Sequence, residues 1–281
     1  MLSSSVIFKG IKDMFTDEEL IWWNRRGLIP GPKQTEMQFA AKIELIEGLE
    51  LDKIVSKQVF ALTSRLFDIV PDWLSVIHRR KGLAFWEGAV TWLDPRPEGY
   101  RLAAIQVREE LNRSFLSRYY PEDEVLAHEI VHAVRSDFDE VAFEEILAYQ
   151  TSQKRWRRYL GPLLQQPRET QLFLALLLFS VLVQWLSFVY LLPSWCSFAL
   201  GLPWLVLVFG CVRLYKNQRL FQRCLKNLGG RQESLAIALR LTDAEICLFA
   251  KSSWHEIREY VEREKGKTLR WRMLFAAYFK E

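Results

Sequence analysis

Cysteine is scarce in this 281-residue chain, and its spacing suits neither a disulfide framework nor a metal site. Cys196, Cys211, Cys224 and Cys247 form no C-x-x-C pair, and two of them lie inside an apolar block. Neither a disulfide scaffold nor cysteine-held zinc is therefore implied. A large charge of one sign is also missing. The net charge of +4 gives no argument for a nucleic-acid partner. Met1 to Phe15 lacks a charged region followed by a long apolar core, so no cleaved signal peptide is expected. Histidine is just as scarce, at four residues.

Two of those four fall in one pentapeptide, His128-Glu129-Ile130-Val131-His132. Helical residues four apart share a face, so both imidazoles can reach one metal ion. Glu129 is then placed to hold and deprotonate a metal-bound water. The motif helix is expected over Pro121 to Arg135, with Pro121 in its first turn and Glu122, Asp123 and Glu124 at its positive end. Ser136 to Asp139 breaks the pattern. Asp139 is the expected N-cap of a second helix, with Phe138 and Phe143 as a hydrophobic staple.

Axial rise tests a third ligand on that second helix. His132 lies about four residues (~6 Å) before the turn and His128 about eight (~12 Å), while Glu145 lies about six (~9 Å) after Asp139. An antiparallel return brings Glu145 level with the gap between the histidines. Glu144 competes for the role, but it borders a polar edge. Glu145 is surrounded by Val141, Ala142, Ala148 and Tyr149 and needs a cationic partner to offset its desolvation, so Glu145 is preferred.

Upstream, Thr16 and Glu19 make a capping box for a helix from Asp17 through Trp23, and Arg25 to Pro32 is a loop. Phe39, Ile43 and Ile46 repeat at helical spacing, as do Val55, Val59, Leu62 and Leu66. Trp73 to His78, Leu83 to Leu93 and Tyr100 to Val107 read as strands of a small, mostly antiparallel sheet, with a turn at Asp94 to Gly99.

Downstream, a basic and aromatic stretch (Lys154 to Tyr159) precedes Gln171 to Leu192, about 22 uncharged residues and ~33 Å as a helix. After a turn at Pro193 to Trp195, the chain is again uncharged from Trp195 to Val212. Lys154, Arg155, Arg157, Arg158 and Arg168 flank the first run; Arg213, Lys216, Arg219, Arg223 and Lys226 follow the second. The positive-inside rule puts both flanks in the cytoplasm, and the short hairpin without targeting signals points to a bacterial inner membrane. The remainder reads as helices, with capping boxes at Thr242/Glu245 and Ser253/Glu256. His255-Glu256-Ile257-Arg258-Glu259 is a decoy that lacks the second His.

The expected fold class is α+β. A small antiparallel sheet, the H-E-x-x-H helix and a second ligand helix make a zincin-like domain over 1–169. A two-helix transmembrane hairpin occupies 170–214, and an all-helical C-terminal domain occupies 215–281.

The paired motifs His128–His132 and Glu145-Ile146-Leu147-Ala148-Tyr149 resemble the gluzincin zinc metallopeptidases, in which a downstream E-x-x-A-D or E-x-x-A-N helix supplies a glutamate ligand. The short interval is similar to minimal members of that class. Tyr149 replaces the terminal Asp or Asn that would orient a ligand histidine. The resemblance implies one zinc ion per chain on His128, His132 and Glu145, with Glu129 as general base. It implies a protein or peptide substrate bound as a strand along the Leu83–Leu93 edge, and an oxyanion partner among Tyr149, Arg135 and Tyr120. Membrane lipid is the other expected partner; nucleic acid is not. His78 reads as a strand-end residue. The alternative is a non-catalytic membrane adaptor with a structural or vestigial zinc site.

Overall fold

A computed structural model describes residues 14–49, 55–84, 87–109, 121–190, 194–230 and 233–280. It is a mixed α/β structure with one three-stranded sheet and, among the described residues, twelve α-helices. Three helices come first: α1 (Asp17–Arg25), α2 (Glu36–Glu47) and α3 (Lys57–Phe67). The first two start in capping boxes, Thr16 with Glu19 and Thr35 with Gln38. Ser56 caps α3 by accepting from the Val59 amide.

The strands β1 (Ser75–His78), β2 (Ala89–Pro95) and β3 (Arg101–Val107) follow, in the spatial order β1-β3-β2. β2 and β3 form the antiparallel hairpin expected from the turn, which Gly99 closes at φ +90°. β1 lies on the other side of β3 and runs parallel to it, with Ser75 opposite Ala104 and His78 opposite Val107. The sheet is therefore mixed, not antiparallel throughout. Residue alternation marks a strand without naming its partner, and the segment between β1 and β2 carries the chain across to the far edge. β2 is left as an edge strand beside α4 (Glu122–Val134).

α4 is the central helix. Ala127, Ile130, Val131 and Ala133 are fully buried, and the helix packs on α3, on the sheet and on α5 (Glu144–Ala148). The turn between α4 and α5 is tied down by a buried ion pair. Lys42 Nζ lies 2.6 Å from Asp137 Oδ2, and Asp137 Oδ1 accepts from the Arg101 amide at 2.7 Å. Gly31 crosses this turn so closely that a Cβ there would sit 2.6 Å from the Asp137 carbonyl. Asp139 does not cap α5 as expected. It accepts from Arg101 Nη2 at 2.6 Å, and α5 has no side-chain cap.

After α6 (Arg155–Leu160) come α7 (Pro167–Tyr190), a 3-10 stretch (Ser194–Gly201) and α8 (Leu202–Asn227). Two helices here are long and apolar enough to span a membrane, Pro167–Tyr190 and the run Cys196–Asn227. Their outer faces expose Phe179, Trp185, Phe188, Trp204 and Phe209. Pro193 of the expected turn lies outside the described residues. The remaining helices are α9 (Glu233–Leu239), α10 (Asp243–Phe249), α11 (Trp254–Glu264) and α12 (Leu269–Leu274), the last continued by a π turn to Phe279. They return to the start of the chain. Arg240 Nε donates to Asn24 Oδ1 at 2.5 Å, and Arg240 Nη1 donates to the Phe67 carbonyl at 3.0 Å.

Within this terminal segment, Glu245 accepts from Arg270 at 2.7 and 2.9 Å and from Trp271 Nε1 at 2.9 Å. Both charges are buried, so removing one leaves the other uncompensated. Arg270→Ala is expected to destabilise the chain by about 3–5 kcal/mol, read by equilibrium denaturation in detergent micelles. Burial opposes the Glu245 carboxylate, but Arg270 outweighs it and holds its pKa below 4.5. The stabilisation is thus complete above pH 4.5 and is lost as the pH falls through the lower native value.

Candidate metal centre

His128 and His132 stand one turn apart on α4 and face Glu145 across the α4–α5 turn, in a cluster that could hold a metal ion. The two Nε2 atoms are 3.2 Å apart. Glu145 Oε2 lies 3.6 Å from His128 Nε2, and Oε1 lies 3.4 Å from His132 Nε2. In a tetrahedral shell with bonds of about 2.1 Å, donor atoms are ~3.4 Å apart. The observed separations bracket that value. Two neutral nitrogens and a carboxylate are also a donor set that zinc accepts. The residues fit the ion.

Each imidazole is oriented from behind. His132 Nδ1 lies 3.1 Å from Glu144 Oε1, and Glu144 Oε2 accepts from Arg135 Nε at 2.7 Å. A carboxylate behind a ligand histidine fixes the tautomer and the ring plane. Glu144, the competitor for the ligand position, thus stands behind the cluster, and Glu145 stands in it. His128 is held by the Tyr149 ring, edge-on at a centroid distance of 4.7 Å. Tyr149 therefore orients a histidine by packing. Gly161 makes room for it, since a Cβ there would meet the Tyr149 ring at 2.4 Å.

Arg135 lies behind Glu144 with a fully buried side chain. Its Nη1 donates to the carbonyls of Leu239 and Leu241, at 2.5 and 3.0 Å. Holding Glu144 is the role its geometry displays. Tyr120 lies outside the described residues. His78 sits at the end of β1, 2.8 Å from Glu122 and away from the cluster. His255 forms an exposed pair with Glu259, as befits a decoy.

Glu129 points toward β2, where Thr91 Oγ1 lies 2.7 Å from its Oε2 and 3.1 Å from its carbonyl oxygen. Sequence reasoning missed Thr91. Period-2 alternation puts it on one strand face with Ala89 and Leu93, but only the packing of β2 on α4 makes that face part of a site. A cleft of about 390 Å³ runs between β2 and the α4–α5 pair, lined by Thr91, Leu93, His128, Glu129, His132 and Glu145 among others.

The electrostatics draw positive charge to the cluster. Burial and the neighbouring His132 push the His128 imidazole well below the usual histidine range. Burial disfavours charge on His132 too, but Glu144, Glu145 and Glu129 overcome it and raise its pKa to about 10. Burial would raise the Glu144 carboxyl; Arg135 and His132 win and lower it. Glu145 is raised, chiefly by burial.

A ligand histidine must be neutral, so a zinc ion bound here would have to displace a proton from His132. Apparent zinc affinity should therefore rise by about tenfold per pH unit between pH 6 and 8, with close to one proton released. Calorimetry in two buffers of different ionisation enthalpy measures both quantities. Glu144→Gln should weaken zinc binding by about 10–100-fold, read by competition with a chromophoric chelator. Compared with family models, with curated proteins and with solved structures, the chain matches none of them.

Proposed function

We propose that the chain is a membrane-anchored zinc metallopeptidase that hydrolyses peptide bonds in the cleft between β2 and α4. The convergence of His128, His132 and Glu145 beside Glu129 is the observation that carries this reading. A zinc ion held by those three ligands would supply a Lewis acid and bring the pKa of a bound water to about 7. Glu129 takes a proton from the attacking water and returns it to the departing amine, a transfer that needs one carboxylate within reach of both. Thr91 holds the Glu129 carboxylate from the strand side.

β2 is an edge strand, so its outward backbone groups suit a substrate bound as an added strand. The exposed apolar faces of α7 and α8 support a bilayer anchor. The basic residues at both ends of the pair support an orientation with the cleft on the cytoplasmic side. The rival reading, a non-catalytic membrane adaptor with a structural zinc site, predicts metal without turnover.

The deciding experiment uses full-length protein in detergent or vesicles, with an unstructured fluorogenic peptide library as substrate. The wild type should carry about one zinc and cleave. Glu129→Gln should keep its zinc and lose activity by at least about 10²-fold, the lower end expected of general-base removal. Equal activity in Glu129→Gln, or a metal-free wild type, overturns the proposal. A zinc-loaded wild type that cleaves nothing favours the adaptor.

A further inference from the structure

The turn that delivers Glu145 is gripped by residues from the other end of the chain. α5 is one turn long, and no side chain of its own N-terminal flank caps it. Asp243, the first residue of α10, instead holds the three residues that lead into it. Its Oδ2 accepts from the amides of Val141 at 3.1 Å and Ala142 at 2.7 Å, and its Oδ1 accepts from the Phe143 amide at 3.3 Å. The Asp243 amide in turn donates to Glu140 Oε2 at 3.0 Å, which closes a reciprocal pair. The carbonyl of Ala142 accepts from Asn217 Nδ2 on α8 at 3.1 Å and from Gln165 Nε2, just before α7, at 3.3 Å.

Every group in this grip acts on residues 140–143, immediately before Glu144 and Glu145. A five-residue helix is too short to hold its own orientation, because nucleating a turn costs more than one turn of hydrogen bonds returns. The direction of the Glu145 side chain is therefore set by whatever fixes residues 141–143. Those anchors lie on α8 and α10, about 75–100 residues away in the chain.

We infer that Asp243, assisted by Asn217, is a positioning residue for the metal centre: it aims Glu145, and the donor set is complete only with α8 and α10 docked on the α4–α5 turn. The inference rests on the reading that the cluster binds zinc. A grip with a merely structural role would lower thermal stability and leave the ligand geometry as it was.

The test measures zinc affinity by chelator competition, and the absorption spectrum of the Co²⁺-substituted full-length protein, for the wild type and four variants. Asp243→Ala should weaken zinc about tenfold or more and change the Co²⁺ spectrum. Asp243→Asn keeps one acceptor oxygen and should fall between Asp243→Ala and the wild type. Asn217→Ala should weaken zinc measurably, by about threefold. Ser253→Ala removes the cap of α11, away from the turn, and should change neither readout. Wild-type affinity and spectrum in Asp243→Ala overturn the inference, as does equal weakening in Ser253→Ala. If Asp243→Ala does not fold, wild-type affinity in Asn217→Ala overturns it instead. A wild type that binds no zinc would sink the metal reading and this inference together, whereas zinc binding that ignores Asp243 sinks the inference alone.

Discussion

A guanidinium with no access to water has to find its partners inside the protein, and through Nε and Nη1 Arg135 does so in a way that joins the middle of the chain to its C-terminal part. Its charge is matched by Glu144, two of its N–H groups point at the carbonyls of Leu239 and Leu241, and its plane lies over Phe138 at 4.5 Å. Leaving a buried charge unmatched costs several kcal/mol, so these contacts are close to obligatory. Because Glu144 precedes Glu145 on one short helix, satisfying Arg135 also fixes the neighbourhood of Glu145. The same carboxylate sets the ring plane of His132. One buried cation thus links the end of α9 to the imidazole of His132.

The long apolar helices are joined to each other by a few polar contacts. In α7, Ser180 is buried, and its Oγ lies 2.7 Å from the carbonyls of both Leu176 and Ala199, so it fastens α7 to the 3-10 stretch that precedes α8. At the other end, Arg213 forms a two-pronged pair with Glu169, one prong at 2.8 Å. Opposite charges at the foot of two adjacent helices keep their ends level, which suits a pair entering and leaving on one side of a bilayer. Gly210 lets α8 approach the Leu163 carbonyl, where a Cβ would sit at 3.1 Å.

What could be read in the sequence was local. The capping boxes at Thr16, Thr242 and Ser253 announce helices because the signal and its consequence lie three residues apart. The spacing of His128 and His132, and the apolar surroundings of Glu145, needed only helical geometry and one short turn. What could not be read was long-range. Nothing in the composition of β1 says that it pairs in parallel with β3 on the far side from β2. Asp139 looked like the natural cap because it is close in sequence; the segment before α5 is instead held by Asp243, 100 residues away from Phe143. Thr91 meets Glu129 only because an edge strand packs across α4. Tyr149 departs from the motif form, and the carboxylate missing there reappears behind the other histidine as Glu144.

α8 is a single helix of 26 residues, ~39 Å long, and it does not stop where its apolar stretch does. It runs on past Arg213 and presents Asn217 to the Ala142 carbonyl. Such a rod is a lever. Were it to pivot where Gly210 meets Leu163, Asn217, about seven residues out on an arm of ~10 Å, would sweep ~2 Å for a tilt of about 10°. A hydrogen bond of 3.1 Å does not survive that displacement. Spanning helices tilt to match the thickness of their bilayer. If α7 and α8 span a bilayer, its thickness would become a mechanical load on the turn that leads into Glu145.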